Sequence, residues 1–287
     1  MIIVTGATGQ LGKGITEELL RRLPAEQIGV SVRDPDKARD LAERGVRVRQ
    51  AEFSDPGSLR HAFEGATQVL IVSAGTLGEE GAQLHRNAID AAREAGARRL
   101  LYTSHMAVNP DSLFPPMWTH AATEELLRAS GVPYTALRNG FYASSAAWLL
   151  GPAIQTGEVS GPQDGPVSWT THADLAEAAA VILADEGQFD GPTPPLTSSQ
   201  ALDLAQLGEV LADLTGRPSR RVTVPDDEYR AGMVAAGLPE MRIDISAGLF
   251  AASRRGEFAA TDPALGALLG RAPTSMREVL AEILATR

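Results

Sequence analysis

Short runs of apolar residues alternate along the first half of the chain with stretches in which apolar positions recur every three or four residues. The first pattern predicts strands buried on both faces, and the second predicts amphipathic helices. Ile2, Ile3 and Val4 open the series as a strand, and Leu11, Ile15, Leu19, Leu20 and Leu23 follow at helical spacing. Further strands are expected at 28–32, 46–53, 68–74, 99–104 and 134–138. Between them, Asp34-Pro35 opens a helix through Leu41, and Ser54-Asp55-Pro56 a short one ending near Gly65. Longer helices are expected at about 79–95 and 117–130. Strands and helices in this rhythm predict an α/β doubly wound parallel sheet with right-handed crossovers.

Past residue 150 the rhythm breaks, which divides the chain into a sheet-forming part, 1–150, and a smaller α/β part, 151–287. The stretch 151–165 reads as a linker rich in Gly, Pro and Gln. An alanine-rich helix at 171–184 and a strand at 196–198 are expected to pack back on the sheet. A helix at 202–215, a strand at 221–224 and helices near 226–236, 240–256 and 274–285 complete the chain. This second part is expected to close over the carboxyl ends of the main strands, where such a sheet binds ligands.

Gly6, Gly9 and Gly12 fill the turn between the first strand and first helix. Glycine lets the backbone turn sharply and meet a pyrophosphate closely, and the helix N-terminus offers free N–H groups and a positive dipole end. Strand, glycine turn and helix in direct succession predict a dinucleotide site, against the plainer alternative of a turn that merely favours glycine. Composition narrows the picture. A net charge of −10 argues against nucleic acid or an anionic membrane as partner, which leaves a small-molecule substrate. The absence of cysteine excludes disulfides, thiolate metal sites and cysteine nucleophiles, and no metal site is expected. No apolar run is long enough to span a bilayer, and a strand starting at residue 2 leaves no room for a signal peptide. A cytoplasmic protein is therefore expected; a homodimer is admitted but not required.

Arg33 ends the second strand, where the adenosine ribose of a dinucleotide lies. A guanidinium there matches the 2′-phosphate of NADP(H), with Lys37 one turn on as a second cation; a solvated surface arginine is the alternative. Asp34 reads as a helix cap because Pro35 follows. Phe53 borders the expected adenine position. Ser73-Ala74-Gly75 and Thr103-Ser104 end the fourth and fifth strands beside the phosphate and nicotinamide, where small residues let a cofactor lie flat. Ser104 suits a substrate hydrogen bond and equally suits a turn. The hydride-transfer acid usual in this architecture, a tyrosine four residues before a lysine, is absent. The residues four beyond Tyr102, Tyr134, Tyr142 and Tyr229 are Met106, Arg138, Ala146 and Met233. In the corresponding helix His120 stands one turn before Glu124, so the two share a face. His120 reads either as a ribose ligand and proton relay or as a histidine held by Glu124. A missing acid favours electrophiles that need no proton in the transfer step, because a ketone gives a strongly basic alkoxide whereas a quinone gives a phenolate.

Several longer segments carry a family likeness. They are Gly6-Ala-Thr-Gly9-Gln-Leu-Gly12, Val32-Arg33-Asp-Pro-Asp-Lys37-Ala, Tyr102-Thr-Ser104, His120-Ala-Ala-Thr-Glu124 and Ser130-Gly-Val-Pro-Tyr134-Thr-Ala-Leu-Arg138-Asn139-Gly140-Phe-Tyr142. Val167-Ser-Trp-Thr-Thr-His-Ala-Asp174-Leu-Ala and Leu268-Leu-Gly-Arg-Ala-Pro-Thr-Ser275 extend it over nearly the whole chain. Together they resemble the NmrA-like branch of the atypical short-chain dehydrogenases/reductases, whose members include bacterial type-2 NAD(P)H:quinone oxidoreductases and triphenylmethane reductases. The resemblance implies a Rossmann fold and an NADPH site. That site is formed by the turn Gly6, Thr8, Gly9, Gln10, Leu11 and Gly12, by Arg33, Lys37 and Phe53, by Ser73, Ala74 and Gly75, by Thr103, Ser104 and His120, and by Asn139, Gly140, Phe141 and Tyr142. It also implies a substrate pocket between the 139–142 loop and the C-terminal part. Tyr142, His120 and Ser104 are then the residues expected at the chemistry, with Trp118, Trp148, Trp169 and Met106 as lesser candidates. Three features depart from the pattern: Glu52 in place of an aspartate, His172 in place of an arginine, and a substrate-facing loop from His105 to Pro116 with no family signature. The implied activity is an NADPH-dependent reductase of quinones or similarly electron-poor planar molecules, including iminium compounds; the alternative is an NADP(H)-binding redox sensor without turnover.

Overall fold

The fold is taken from a computed structural model, which describes residues 1–286. The first half of the chain forms β1 (Ile2–Thr5), α1 (Gln10–Leu20), β2 (Ile28–Val32), α2 (Arg39–Glu43), β3 (Arg47–Gln50) and α3 (Pro56–Phe63). It continues through β4 (Gln68–Ile71), α4 (Gly78–Glu94), β5 (Arg99–His105), α5 (Pro116–Ala129) and β6 (Tyr134–Asn139). The second half adds β7 (Phe141–Tyr142), α6 (Ala143–Leu150), α7 (Ala153–Thr156), β8 (Glu158–Gly161), β9 (Trp169–Thr170), α8 (His172–Ala184) and β10 (Gly191–Pro192). The last elements are α9 (Leu204–Thr215), β11 (Arg220–Thr223), α10 (Asp226–Ala235), α11 (Glu240–Arg254), α12 (Ala264–Leu269) and α13 (Met276–Ala285).

The main sheet has seven strands in the order β10-β6-β5-β4-β1-β2-β3, all parallel. The chain starts at the middle, winds outward through β2 and β3, then crosses back to β4 and continues the other way. The order reverses between β1 and β4, and a crevice opens at their carboxyl ends, as a doubly wound sheet requires. Helices cover both faces. Leu11, Ile15 and Leu19 of α1 join Leu175, Ala179 and Leu183 of α8 against one face. Leu59 and Phe63 of α3, Ala88 and Ala92 of α4 and Leu127 of α5 cover the other. Gly14 and Ala176 let α1 and α8 approach closely, since a Cβ on Gly14 would stand 3.0 Å from the Ala176 methyl. A separate cluster built on Phe141, Trp169, Leu207, Phe250, Phe258 and Leu280 forms the core of the C-terminal half.

Local pattern and observed structure part company in a few places, each for a physical reason. The expected helix at 34–41 is a 3₁₀ turn over Pro35–Ala38, capped by Asp34 as expected, followed by the short α2. The third strand ends at Gln50 and the fourth at Ile71, short of 53 and 74, because the chain beyond each turns out of the ladder to form the crevice. The supposed linker 151–165 contains α7 and β8, whose partner β11 lies about sixty residues on and leaves no mark on local composition. The expected strand at 196–198 reduces to one bridge between Leu196 and Asn139, and the edge of the sheet is β10. Pro194 and Pro195 carry no N–H to donate to a ladder there. Neither α6 nor α12 announces itself in the sequence.

One buried charge ties the C-terminal tail to α8. Asp174 is fully buried at the first turn of the helix; its Oδ2 accepts from the Thr171 hydroxyl and from the Thr274 N–H, both at 2.8 Å. Arg271 Nη1 lies 2.8 Å from its Oδ1, an ion contact without hydrogen-bond alignment. Asp174→Asn is expected to lower the unfolding free energy by about 1.5–3 kcal/mol, the worth of hydrogen bonds to a charged group. Urea titration reads this as a lower midpoint at unchanged slope.

Candidate active site

The crevice encloses about 700 Å³ and runs from the β1–α1 turn to the ends of β2, β3 and β4. Gly6 sits at φ +62°, and the Gly9 N–H donates to its carbonyl at 2.9 Å, which closes a tight turn. Gly12 answers a packing demand, because a Cβ there would lie 2.3 Å from the Gly6 oxygen. Gly9 is the N-cap residue of α1 and brings no side-chain acceptor, so the helix's first N–H groups stay available for an anion. Of the residues expected at the cofactor, Gly6, Thr8, Gly9, Arg33, Lys37, Phe53, Ser73, Ala74 and Gly75 line the crevice. Gln10, Leu11 and Gly12 do not, and Leu11 is a core residue. Lys37 stands 3.8 Å from Asp34, whereas the Arg33 guanidinium has no carboxylate partner among the described residues. Ser31, Glu52, Ser54, Thr76 and Glu80 also line the crevice; their only sequence signal is a position at or just past a strand end or helix start.

The loop after β4 forms the crevice floor, and borrowed side chains hold it. The N–H of Val72 donates to Thr5 Oγ1, that of Ser73 to Thr103 Oγ1 and that of Ala74 to His85 Nε2, each at 2.9 Å. The Gly78 N–H donates to Thr119 Oγ1 at 2.7 Å. Because Nε2 of His85 accepts, its proton sits on Nδ1 and is donated to Thr123 Oγ1 at 2.8 Å; Thr123 in turn donates to the Thr119 carbonyl. His85 is fully buried, and burial lowers its pKa to about 4, so the imidazole is neutral near pH 7. Thr103, expected to meet the cofactor, is instead buried beneath the loop as its support.

At the ends of β5 and β6 the polar side chains sort differently from the sequence expectation. Ser104 is buried and donates to Glu124 Oε1 at 2.6 Å, while Glu124 Oε2 pairs with Arg138 at 2.8 Å. Glu124 therefore holds Ser104 and Arg138, and His120 is not its partner. His120 Nδ1 instead meets the Tyr102 hydroxyl at 2.8 Å, and burial drives its pKa well below the ordinary value. Tyr102 is fully buried, which pushes its phenol up. Phe141 and Tyr142 alternate across β7 and face opposite ways. Phe141 joins an aromatic cluster with His105, Phe114, Trp169 and Phe258. Tyr142 leans on the core beside α8 with its ring 4.1 Å from that of His172, and Asn139 faces its hydroxyl. Gly140 is required by close packing, since a Cβ would stand 2.2 Å from Thr170 Oγ1. Of the lesser candidates, Trp169 and Met106 are core, and Trp118 and Trp148 are largely exposed. Sequence reading missed Thr5, His85 and Thr123, because threonine and histidine on buried faces carry no local signature of the loop they support.

These residues fit a nicotinamide dinucleotide. The turn of bare amides suits its diphosphate; among the described residues Arg33 has no carboxylate partner, which suits an anion at the adenosine end, and buried Asn139 Oδ1 has no hydrogen-bond partner, which suits an amide donor at the far end. Fold and site thus define a dinucleotide-binding protein of the doubly wound class. The comparisons agree: a family model described as NAD(P)H-binding matches residues 6–186. The chain is 34% identical over 286 residues to quinone oxidoreductase 2 of Escherichia coli, covering 99% of this chain and 98% of that protein. The crystal structure of that NADPH-dependent oxidoreductase complexed with NADPH superposes with a TM-score of 0.93 at 33% identity, covering 99% of this chain and 100% of that one. Triphenylmethane reductase from Citrobacter sp., complexed with NADP(H), gives 0.90 at 33% identity over 98% and 99% of the two chains. The chain belongs to the NAD(P)H-binding family, in the NmrA-like branch of the short-chain oxidoreductases, and is an NAD(P)H-dependent oxidoreductase. Among the described residues no helix is long and apolar enough to cross a membrane, and no cluster of side chains could hold a metal ion.

The buried imidazoles make folding sensitive to acid. His85 and His105 have folded pKa values lowered by burial to about 4 and about 3, below the unfolded value, so the unfolded chain binds more protons as pH falls. Stability is full above pH ~6.5 and declines below it, with a slope of up to ~1.4 kcal/mol per pH unit for each imidazole. Urea midpoints measured from pH 7 to 4.5 are expected to fall, and His85→Gln, which keeps an acceptor for Ala74, to flatten the decline.

Proposed function

We propose that the protein is an NADPH-dependent reductase of quinones or comparably electron-poor planar molecules, iminium compounds included, working in the cytoplasm. The observation that carries the cofactor preference is the Arg33 guanidinium, which lines the crevice with no carboxylate partner among the described residues. A 2′-phosphate would supply that partner, and Lys37 would add a second cation. When bound, the reduced nicotinamide supplies the hydride. The glycine turn would hold the diphosphate, the strapped 73–75 loop would keep the crevice floor fixed, and Asn139 would take the amide.

The substrate class rests on what the chain's own residues are able to donate. Burial keeps His120 neutral, and the Tyr102 phenol, pushed up by burial, holds its proton more firmly than free tyrosine does. The Ser104 proton is given to Glu124. None of these is a strong acid near pH 7, which favours acceptors whose reduced form is a weak base. The names of the relatives, quinone oxidoreductase and triphenylmethane reductase, support the same reading.

Arg33→Ala is expected to weaken NADPH binding roughly tenfold to a hundredfold, the worth of a charge-assisted bond, and to leave NADH binding nearly unchanged. Equal losses for both nucleotides would remove the 2′-phosphate assignment. NADPH oxidation followed across quinones, cationic dyes and iminium compounds tests the substrate class; tight nucleotide binding with no turnover on any of them would favour the sensor. Tyr142→Ala is expected to raise KM for an accepted quinone, and unchanged kinetics would take Tyr142 out of the pocket.

A further inference from the structure

Glu80, Leu84 and Asn87 follow one another along α4 at spacings of four and three, which sets them on one stripe of the helix. Glu80 and Leu84 line the crevice, and Asn87, one turn on, does not. Asn87 Nδ2 instead donates at 2.8 Å to the carbonyl of Phe53, in the stretch that leaves β3 and lines the adenosine end. A carbonyl only accepts, so the amide nitrogen must face Phe53; Gln83 Nε2 donates to the opposite atom, Oδ1, at 2.9 Å. Among the described residues this is the one hydrogen bond that Phe53 or Ser54 makes. The chain is fixed on either side of them. The Ala51 N–H donates to the Val32 carbonyl at 3.0 Å, and Asp55 caps α3 by accepting from Gly57 and Ser58. The Phe53 ring is half-buried and meets His85 edge-to-face at 6.3 Å. Thus α4 braces both loops of the crevice: His85 holds the one after β4, and Asn87 the one after β3.

We infer that Asn87 is a positioning residue for the adenosine half of the nucleotide: by anchoring the Phe53 carbonyl it holds the Phe53 ring in place to border the adenine. The inference rests on the reading that sets the adenosine at the ends of β2 and β3. A turn that presents a planar apolar ring binds best when it is already ordered, because ordering it during association costs free energy that a tethered ring has given up in advance. Asn87 supplies that order without touching the ligand. Its side-chain hydrogen bonds reach only Gln83 and Phe53, so its influence falls on the adenosine half and leaves the nicotinamide half alone.

Fragments of the nucleotide separate the possibilities. Dissociation constants are measured for NADPH, for 2′,5′-ADP, which carries only the adenosine half, and for reduced nicotinamide mononucleotide, which carries only the other. The proteins are the native chain, Asn87→Leu, which keeps the volume and removes the donor, and Asn87→Ala, with urea midpoints as the control for an intact fold. Loss of one neutral hydrogen bond predicts NADPH and 2′,5′-ADP binding ~3–10-fold weaker, with the mononucleotide unchanged. In a Phe53→Ala background the same substitutions are expected to cost little, because the ring they release is already gone. NADPH affinity unchanged in both variants overturns the inference and leaves the reductase reading standing. An equal loss for the mononucleotide, or an undiminished loss in the Phe53→Ala background, does the same, since either marks a general loosening of α4. An Arg33→Ala protein that binds 2′,5′-ADP as tightly as the native chain overturns the placement of the adenosine half, and the inference with it.

Discussion

Where β4 ends at Ile71 the backbone leaves the sheet, yet its amides are not released to water. Thr5, Thr103, His85 and Thr119 take over from the ladder, one partner for each N–H of Val72, Ser73, Ala74 and Gly78. An unpaired amide in this position would cost about as much as a lost hydrogen bond, so the substitution of side chains for backbone acceptors is what lets the loop bend away and leave a crevice. The supports come from β1, β5, α4 and α5, elements far apart in sequence. The shape of the nucleotide site is therefore a property of the whole sheet-and-helix layer, and the glycine turn opposite supplies only one of its walls.

This division explains what could be read from the chain before its fold was known. The turn from Gly6 to Gly12, the cation at Arg33 and the cap at Asp34 are local devices, legible because neighbouring residues define them. The seven-stranded sheet was legible up to β6 for the same reason, since each strand is a short apolar run. β8 and β10 were not, because each is two to four residues long and depends on a distant partner. The far end of the site was the least legible part. Ser104, His120 and Glu124 were identified, but their pairing could not be read from helical spacing. A strand-borne arginine, Arg138, takes the carboxylate, and a buried phenol, Tyr102, takes the imidazole.

The electrostatics of the site follow from the same burial. Near the adenosine end the charges are exposed and permanent, as Arg33 and Lys37 are. Near the expected chemistry three histidines and two tyrosines sit uncharged in buried surroundings, and the one carboxylate beside them, Glu124, is paired with Arg138. Charge thus attracts and orients one end of the ligand while the other end meets a nearly neutral, weakly donating wall. Such a gradient suits binding a large anion by its handle and leaving its reactive ring in dry surroundings.

The alternation of Phe141 and Tyr142 across β7 has a consequence for how this segment can vary. Between the last residue of β6 and the first turn of α6, chain length fixes which ring enters the aromatic cluster and which leans on α8. One residue gained or lost would exchange the two sides, carrying a hydroxyl into the cluster of phenyl rings and a bare phenyl to His172. The segment should therefore accept changes of side chain far more readily than changes of length, a rigidity of spacing that the short connection conceals.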